Sequence, residues 1–139
     1  MGLQQSTPRI NYEDIINILK NKNNYLLMNT ISSDLQDCLI PGTININKEE
    51  QLINELMREN RDINIIIYGK NANDISVYNK HEQLVKLGFT NVFIYPGGMF
   101  EWICLQDIYG EENFPTTKKE LDILKFKAKS ILNKLYLQN

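Results

Sequence analysis

The most reactive side chains in this sequence are two cysteines, Cys38 and Cys104, and a single histidine, His81. A cysteine becomes a nucleophile when nearby cations or a metal lower its thiol pKa. Cys38 has no basic neighbour in sequence, and Cys104 stands among apolar residues that predict burial as an inert thiol. His81 lies beside Lys80 and Glu82 on a polar helix face, so we expect it in solvent. These residues provide neither a cysteine–histidine pair nor a multi-histidine metal site, and we expect no metal and no cofactor.

A second candidate for chemistry is the polar loop that follows the most apolar run of the chain. The run at residues 64–68 lacks hydrophobic alternation and predicts a central parallel strand buried on both faces. The loop after it consists of Gly69, Lys70, Asn71, Ala72, Asn73 and Asp74. Lys70 could attract an anion, although Asp74 would oppose it, and the alternative is that Lys70 is a solvated loop charge.

The N-terminal residues 1–6 fit the N-myristoylation pattern, in which removal of Met1 leaves Gly2 to carry the acyl group. Chance matches to so short a pattern are common. A single acyl chain binds a bilayer only marginally, and no basic cluster follows Ser6. The pattern therefore predicts, at most, weak membrane association through Gly2.

The C-terminal region predicts a helix from Thr116 or Thr117 to about Leu137. Its apolar seam has spacings of three and four residues and consists of Leu121, Leu124, Ala128, Ile131 and Leu135. We expect the helix to pack on its own domain and to bury Leu121, Leu124 and Ile131. The alternative is that the seam, including Leu135, docks a partner or that the lysines around it contact an anionic surface.

The elements that must position these residues alternate between helix and strand. Predicted helices run from Asn11 to about Lys20, from Asn47 to about Asn60, from Asp74 to Gly88, and around Trp102 to Gly110. Predicted strands cover residues 25–30, 43–46, 64–68 and 91–95. This alternation predicts an α/β fold with about five mainly parallel strands flanked by helices, plus the C-terminal helix.

Composition limits the class of protein. The chain has 139 residues, of which 42% are hydrophobic and 23% charged, enough for one core and too few for two ordinary domains. The pI near 5.4 argues against nucleic-acid binding. We expect an arm at 1–8, a domain at 9–110 and an extension at 111–139. The absence of a signal peptide predicts reduced thiols and a cytoplasmic location.

Charge is unevenly distributed along the chain. From Lys118 onward the chain has six lysines and only two acidic residues, Glu120 and Asp122, so the net charge of this region is +4. Because the whole chain has a net charge of −2, the first 117 residues carry −6. An acidic body with a basic tail predicts two surfaces with different partners.

Three segments, in this order, resemble the rhodanese-like domain. They are Leu39-Ile-Pro-Gly-Thr-Ile-Asn-Ile46, the strand Ile65-Ile-Ile-Tyr68, and the long stretch from Leu84 through Gly88-Phe-Thr-Asn-Val and Pro96-Gly-Gly to Trp102. The resemblance covers roughly residues 9–105 and implies that family's fold. Residues 98–124 are similar to rhodanese-like proteins of large DNA viruses and some protists.

The resemblance also implies where the chemistry should be. Active members of the family place a nucleophilic cysteine directly after the central strand, in a loop whose N–H groups bind an anion. Here Gly69 stands at that position, and Asp74 stands where the family often has arginine. Asn29 and Ile31 replace an Asp-x-Arg pattern, and Leu39 replaces a histidine. These departures imply a degenerate loop and a catalytically inactive member.

The sequence therefore predicts a pseudoenzyme, a non-catalytic rhodanese-like domain that binds an unknown protein partner or acts as a regulatory module. Such a domain is similar to the non-catalytic rhodanese modules found beside phosphatases and ubiquitin proteases. Two alternatives stay open. One is a sulfurtransferase with Cys38 as a non-standard nucleophile. The other is a structural component of a membrane-associated or viral assembly, held by its N-terminus and C-terminal helix and located at a membrane or in a virion.

Overall fold

Three parallel strands form the centre of the protein. The computed structural model describes residues 7–21 and 24–132. The strands are β1 (Tyr25–Asn29), β2 (Asn64–Tyr68) and β3 (Asn91–Tyr95), in the spatial order β1-β2-β3. The register aligns Leu27 with Ile66 and Ile66 with Phe93. The unbroken apolar run therefore forms the central strand, as its lack of alternation predicts.

The predicted count of about five strands is wrong, because the described residues contain three. The segment expected as a strand at residues 43–46 makes only an isolated bridge, between Thr43 and Leu27. It then turns into a short 3-10 helix at Ile46–Lys48, since the Asn45 side chain accepts a hydrogen bond from the N–H of Asn47. Local side-chain bonding of this kind competes with strand pairing.

Within residues 7–21 and 24–130, four α-helices flank the sheet. They are α1 (Tyr12–Lys20), α2 (Glu49–Glu59), α3 (Ser76–Lys86) and α4 (Gly98–Tyr109). Asn11 and Asp14 form a reciprocal capping box at the start of α1, as their spacing predicts. Among the residues that the structure describes, no helix is both long and apolar enough to cross a bilayer.

The two faces of the sheet carry separate hydrophobic clusters. Helices α1 and α4 cover one face, where Ile15 and Trp102 are fully buried. Helices α2 and α3 cover the other, with Ile53 and Leu84 packed against the strands. The indole N–H of Trp102 donates to the carbonyl of Pro115 at 2.8 Å, so α4 also holds the start of the C-terminal region.

The C-terminal region differs most from expectation. Residues 111–122 and 127–130 are not helical, and Ile123–Phe126 forms a 3-10 turn, so the helix predicted from Thr116 or Thr117 is wrong up to residue 130. Ile131 and Leu132, the last described residues, are helical. Leu121, Leu124 and Ile131 are exposed by 83%, 62% and 76%, contrary to the predicted burial. Leu135 lies outside the described residues.

We call residues 111–127 the C-terminal strap. Two aromatic side chains anchor it in the α1/α4 cluster, Phe114 (4% exposed) and Phe126 (1%). The N–H of Thr117 donates to the Leu39 carbonyl, and the Leu39 N–H donates to Thr117 Oγ1. Helix propensity contributes only tenths of a kcal/mol per residue, so these long-range bonds and the burial of two phenylalanines outweigh the helical pattern.

Candidate functional site

The loop Gly69–Asp74 leaves the carboxyl end of β2, the edge at which parallel sheets usually bind ligands. Gly69 contributes no side chain there. Its carbonyl accepts a hydrogen bond from the N–H of Met99 at 2.9 Å, and the Lys70 carbonyl accepts one from Phe100 at 2.8 Å. The N–H groups of Met99 and Phe100, in the first turn of α4, therefore bind carbonyl groups of the loop.

The Asp74 carboxylate folds back into the loop. Its Oδ2 accepts a hydrogen bond from the Lys70 N–H at 3.0 Å, and its Oδ1 accepts from the N–H and hydroxyl of Ser76. A Cβ atom built on Gly69 would lie 2.5 Å from Asp74 Oδ2 and 3.0 Å from Thr30 Oγ1. The carboxylate thus fills the space where a side chain at position 69 would begin, which the sequence does not reveal.

The strap borders the same loop. The Asn71 amide donates to the Phe126 carbonyl at 2.9 Å, and its Oδ1 accepts from the Asn73 N–H at 2.9 Å. On the opposite side, Gly98 has a φ of +65°, and a Cβ there would lie 2.5 Å from the Gly69 carbonyl oxygen. Glycine at position 98 is therefore required for the close approach of α4 to the loop.

Asn29 and Gln36 form a polar pair at the carboxyl end of β1. Asn29 is 2% exposed, and its Oδ1 accepts hydrogen bonds from the Ile31 N–H and from the Gln36 amide. The Asn29 amide in turn donates to Gln36 Oε1. Asn29 thus holds the segment after β1 in place. A polar residue at the end of an apolar run is the signal that could have indicated this role.

Neither thiol is activated by its surroundings. Cys38 is 5% exposed beneath the strap, and burial raises its pKa despite a hydrogen bond to Thr116. Cys104 is half-buried, and desolvation followed by the charge of Asp107 raises its pKa. A raised pKa opposes formation of the thiolate that nucleophilic attack requires.

The remaining candidates are dispersed. His81 is half-buried, and its Nε2 lies 3.2 Å from the Val92 carbonyl oxygen of β3, so the expectation of a solvated histidine is wrong. No group of three His, Cys, Asp or Glu side chains with metal-binding geometry occurs within residues 7–21 and 24–132. Gly2 lies outside the residues that the structure describes.

Tyr68, at the end of β2, is a residue that sequence reasoning missed. Its side chain is fully buried, and its hydroxyl oxygen accepts a hydrogen bond from the Ile40 N–H at 3.2 Å and lies 2.6 Å from Thr43 Oγ1. Burial raises the pKa of the phenol far above its ordinary value. Tyr68 therefore fastens the segment around residues 40–43 to the central strand.

A parallel sheet covered by helices on both faces, with a loop after its central strand at the carboxyl edge, defines a class of α/β domain. Residues 13–103 match the family model of the rhodanese-like domain, and the chain belongs to that family. A search of curated protein sequences finds no match.

Solved structures show the same fold. A Bacillus halodurans protein is 19% identical with a TM-score of 0.61, and the alignment covers 94% of this chain and 90% of that one. A single-domain sulfurtransferase of Saccharomyces cerevisiae, RDL2, is 20% identical with a TM-score of 0.60, over 81% and 99% of the two chains. The polysulfide-sulfur transferase homodimer of Wolinella succinogenes is 15% identical with a TM-score of 0.56, over 84% and 82%.

Proposed function

We propose that this chain is a non-catalytic rhodanese-like domain that works by binding a protein partner, as a docking or regulatory module. The observation that carries the proposal is the position of the Asp74 carboxylate, 2.5 Å from where a side chain at Gly69 would begin. A carboxylate in that place supplies negative charge where a thiolate and an anionic sulfur donor would have to meet.

The hydrogen bonds of the loop support the same proposal. Sulfur transfer at a loop of this kind depends on backbone N–H groups that stabilise an anion. Here the Lys70 and Ser76 N–H groups donate to Asp74, and the N–H groups of Met99 and Phe100 donate to loop carbonyls. These four N–H groups are bonded within the protein and are not free to bind an anionic substrate.

The competing hypothesis is a sulfurtransferase that uses Cys38. It draws on the solved sulfurtransferases that share the fold. Burial raises the pKa of Cys38, and the charge of Glu120, which raises it further, exceeds the opposing effect of Lys125. We therefore favour the binding function.

A thiosulfate:cyanide assay on the full chain, with rhodanese of known activity as the positive control, tests the proposal. We expect no turnover above background from the wild type, and the same result from Cys38→Ser. Gly69→Cys alone should give little activity, because the new side chain meets Asp74. Turnover by the wild type that Cys38→Ser abolishes would replace the binding function with the sulfurtransferase hypothesis.

A further inference from the structure

A cleft of about 520 Å³ opens between α2, α3 and the carboxyl end of β1. We call it the α2–α3 cleft. Its lining consists of Asn29, Thr30, Ile31, Ile46, Glu49, Ser76, Asn79, Lys80 and Gln83. We propose, on the basis of the binding function above, that this cleft holds an extended, uncharged peptide segment of the partner and recognises its main-chain amides.

Two of the side chains that α3 presents to the cleft, Asn79 and Gln83, have unused hydrogen-bonding capacity. Ser76, Asn79, Lys80 and Gln83 recur at helical spacing and so share one face of α3. The Asn79 and Gln83 amides are exposed and form no side-chain hydrogen bond within the described part of the chain. Each amide offers both an N–H donor and a carbonyl acceptor, the complement of a peptide group.

The charges of the cleft select against an ionic ligand. Its two charged side chains are paired with each other, Lys80 Nζ lying 3.3 Å from Glu49 Oε2, and both are largely buried. The lining therefore has no net charge, and a phosphate or a polyanion would leave its own charge uncompensated. Glu49 Oε1 is covered and has no hydrogen-bond partner among the described residues.

The dimensions fit a short stretch of extended chain. The polar stripe from Ser76 to Gln83 spans about 10 Å at ~1.5 Å per residue, which is the length of roughly three residues of extended peptide. Ile31 and Ile46 supply apolar surface for one side chain of such a segment. The volume also lies within the range of about 300–1,000 Å³ that is typical of ligand sites.

Selection of a random-peptide phage library on the full chain tests this inference. The selected peptides are then synthesised, and fluorescence anisotropy measures their affinity for the wild type and for the double variant Asn79→Ala/Gln83→Ala. We expect the double variant to bind at least about tenfold more weakly, because two hydrogen-bonding side chains are lost. Binding should depend little on salt, since the cleft has no net charge.

Glu82→Gln is the matched control. Glu82 is on the same helix, but it lies outside the cleft and pairs with Lys86 in solvent, so affinity should not change. Circular dichroism checks that each variant is folded. Equal affinity of the peptides for the wild type and the double variant would contradict peptide binding in the α2–α3 cleft. It would not contradict the proposed binding function, because the peptides would then bind elsewhere on the chain.

Two further outcomes would also overturn the inference. The first is that no peptide is selected above background. The second is that the selected peptides are strongly charged and lose their affinity in salt. Thiosulfate turnover is measured separately. It tests whether the chain is non-catalytic, and it does not test whether the α2–α3 cleft binds a peptide.

Discussion

At the scale of single residues, Asp74 organises the loop after β2, because its carboxylate accepts hydrogen bonds from both ends of the loop. Three hydrogen bonds converge on it, from the Lys70 N–H and from the N–H and hydroxyl of Ser76. Removing a partly buried acceptor leaves its donors unsatisfied, which costs more than the bonds themselves contribute.

We expect Asp74→Ala to lower the free energy of unfolding by about 1–3 kcal/mol, because the Lys70 and Ser76 donors lose their acceptor. Asp74→Asn should cost less, since one amide oxygen still accepts. Urea unfolding at neutral pH measures both variants. Asp107→Ala, at an exposed position on α4, is the control and should stay within about 0.5 kcal/mol of the wild type. Equal losses for the alanine and asparagine variants would contradict this account of the loop.

At the scale of elements, the C-terminal strap is the part that joins the sheet, α4 and the loop. Its aromatic anchors are buried and its leucines are not. The strap is consequently stabilised by a few deep contacts and by backbone bonds to Leu39, and not by a continuous apolar seam.

Phe126→Ala should therefore cost about 3–5 kcal/mol in the free energy of unfolding, as a large core truncation does. Leu121→Ala should change it by no more than about 0.5 kcal/mol, because that side chain is 83% exposed. Urea unfolding of the two variants under the same conditions makes the comparison. A larger loss of stability for Leu121→Ala than for Phe126→Ala would support a C-terminal helix packed through its leucines. It would contradict a strap anchored by phenylalanines.

At the scale of the whole molecule, buried phenols link stability to alkaline pH. Burial raises the pKa of Tyr68 and Tyr95 above the ordinary value of 10.0. Above that pH the unfolded chain loses these protons while the folded protein keeps them. The unfolded state is then favoured, so their contribution is complete below pH 10 and declines as the pH rises further.

We expect the free energy of unfolding to fall steeply above pH 10, measured by urea unfolding across the alkaline range. Tyr68→Phe should be less stable than the wild type at neutral pH, because the Ile40 N–H loses its acceptor. Its alkaline decline should be shallower, since one linked proton is gone. Tyr25→Phe, at an exposed position, is the control. Parallel pH profiles for the wild type and Tyr68→Phe would contradict the linkage.

Several features of the molecule follow from residues close together in sequence. The capping box of Asn11 and Asp14 and the central strand at residues 64–68 are confirmed by the structure, as is the end of α4 at Gly110. The resemblance to the rhodanese-like domain is confirmed by the family match. These predictions succeed because capping and hydrophobic burial patterns act over a few residues.

Only the tertiary structure determined the rest. The bond between Leu39 and Thr117 and the bond from Asn71 to Phe126 join distant parts of the chain, and they override the helical pattern of the C-terminal region. The same holds for the approach of Asp74 to Gly69 and for the cleft beside Lys80. Residue types and spacing identify which groups are present, but distances between them depend on how helices and strands pack, and packing is decided by the whole core at once.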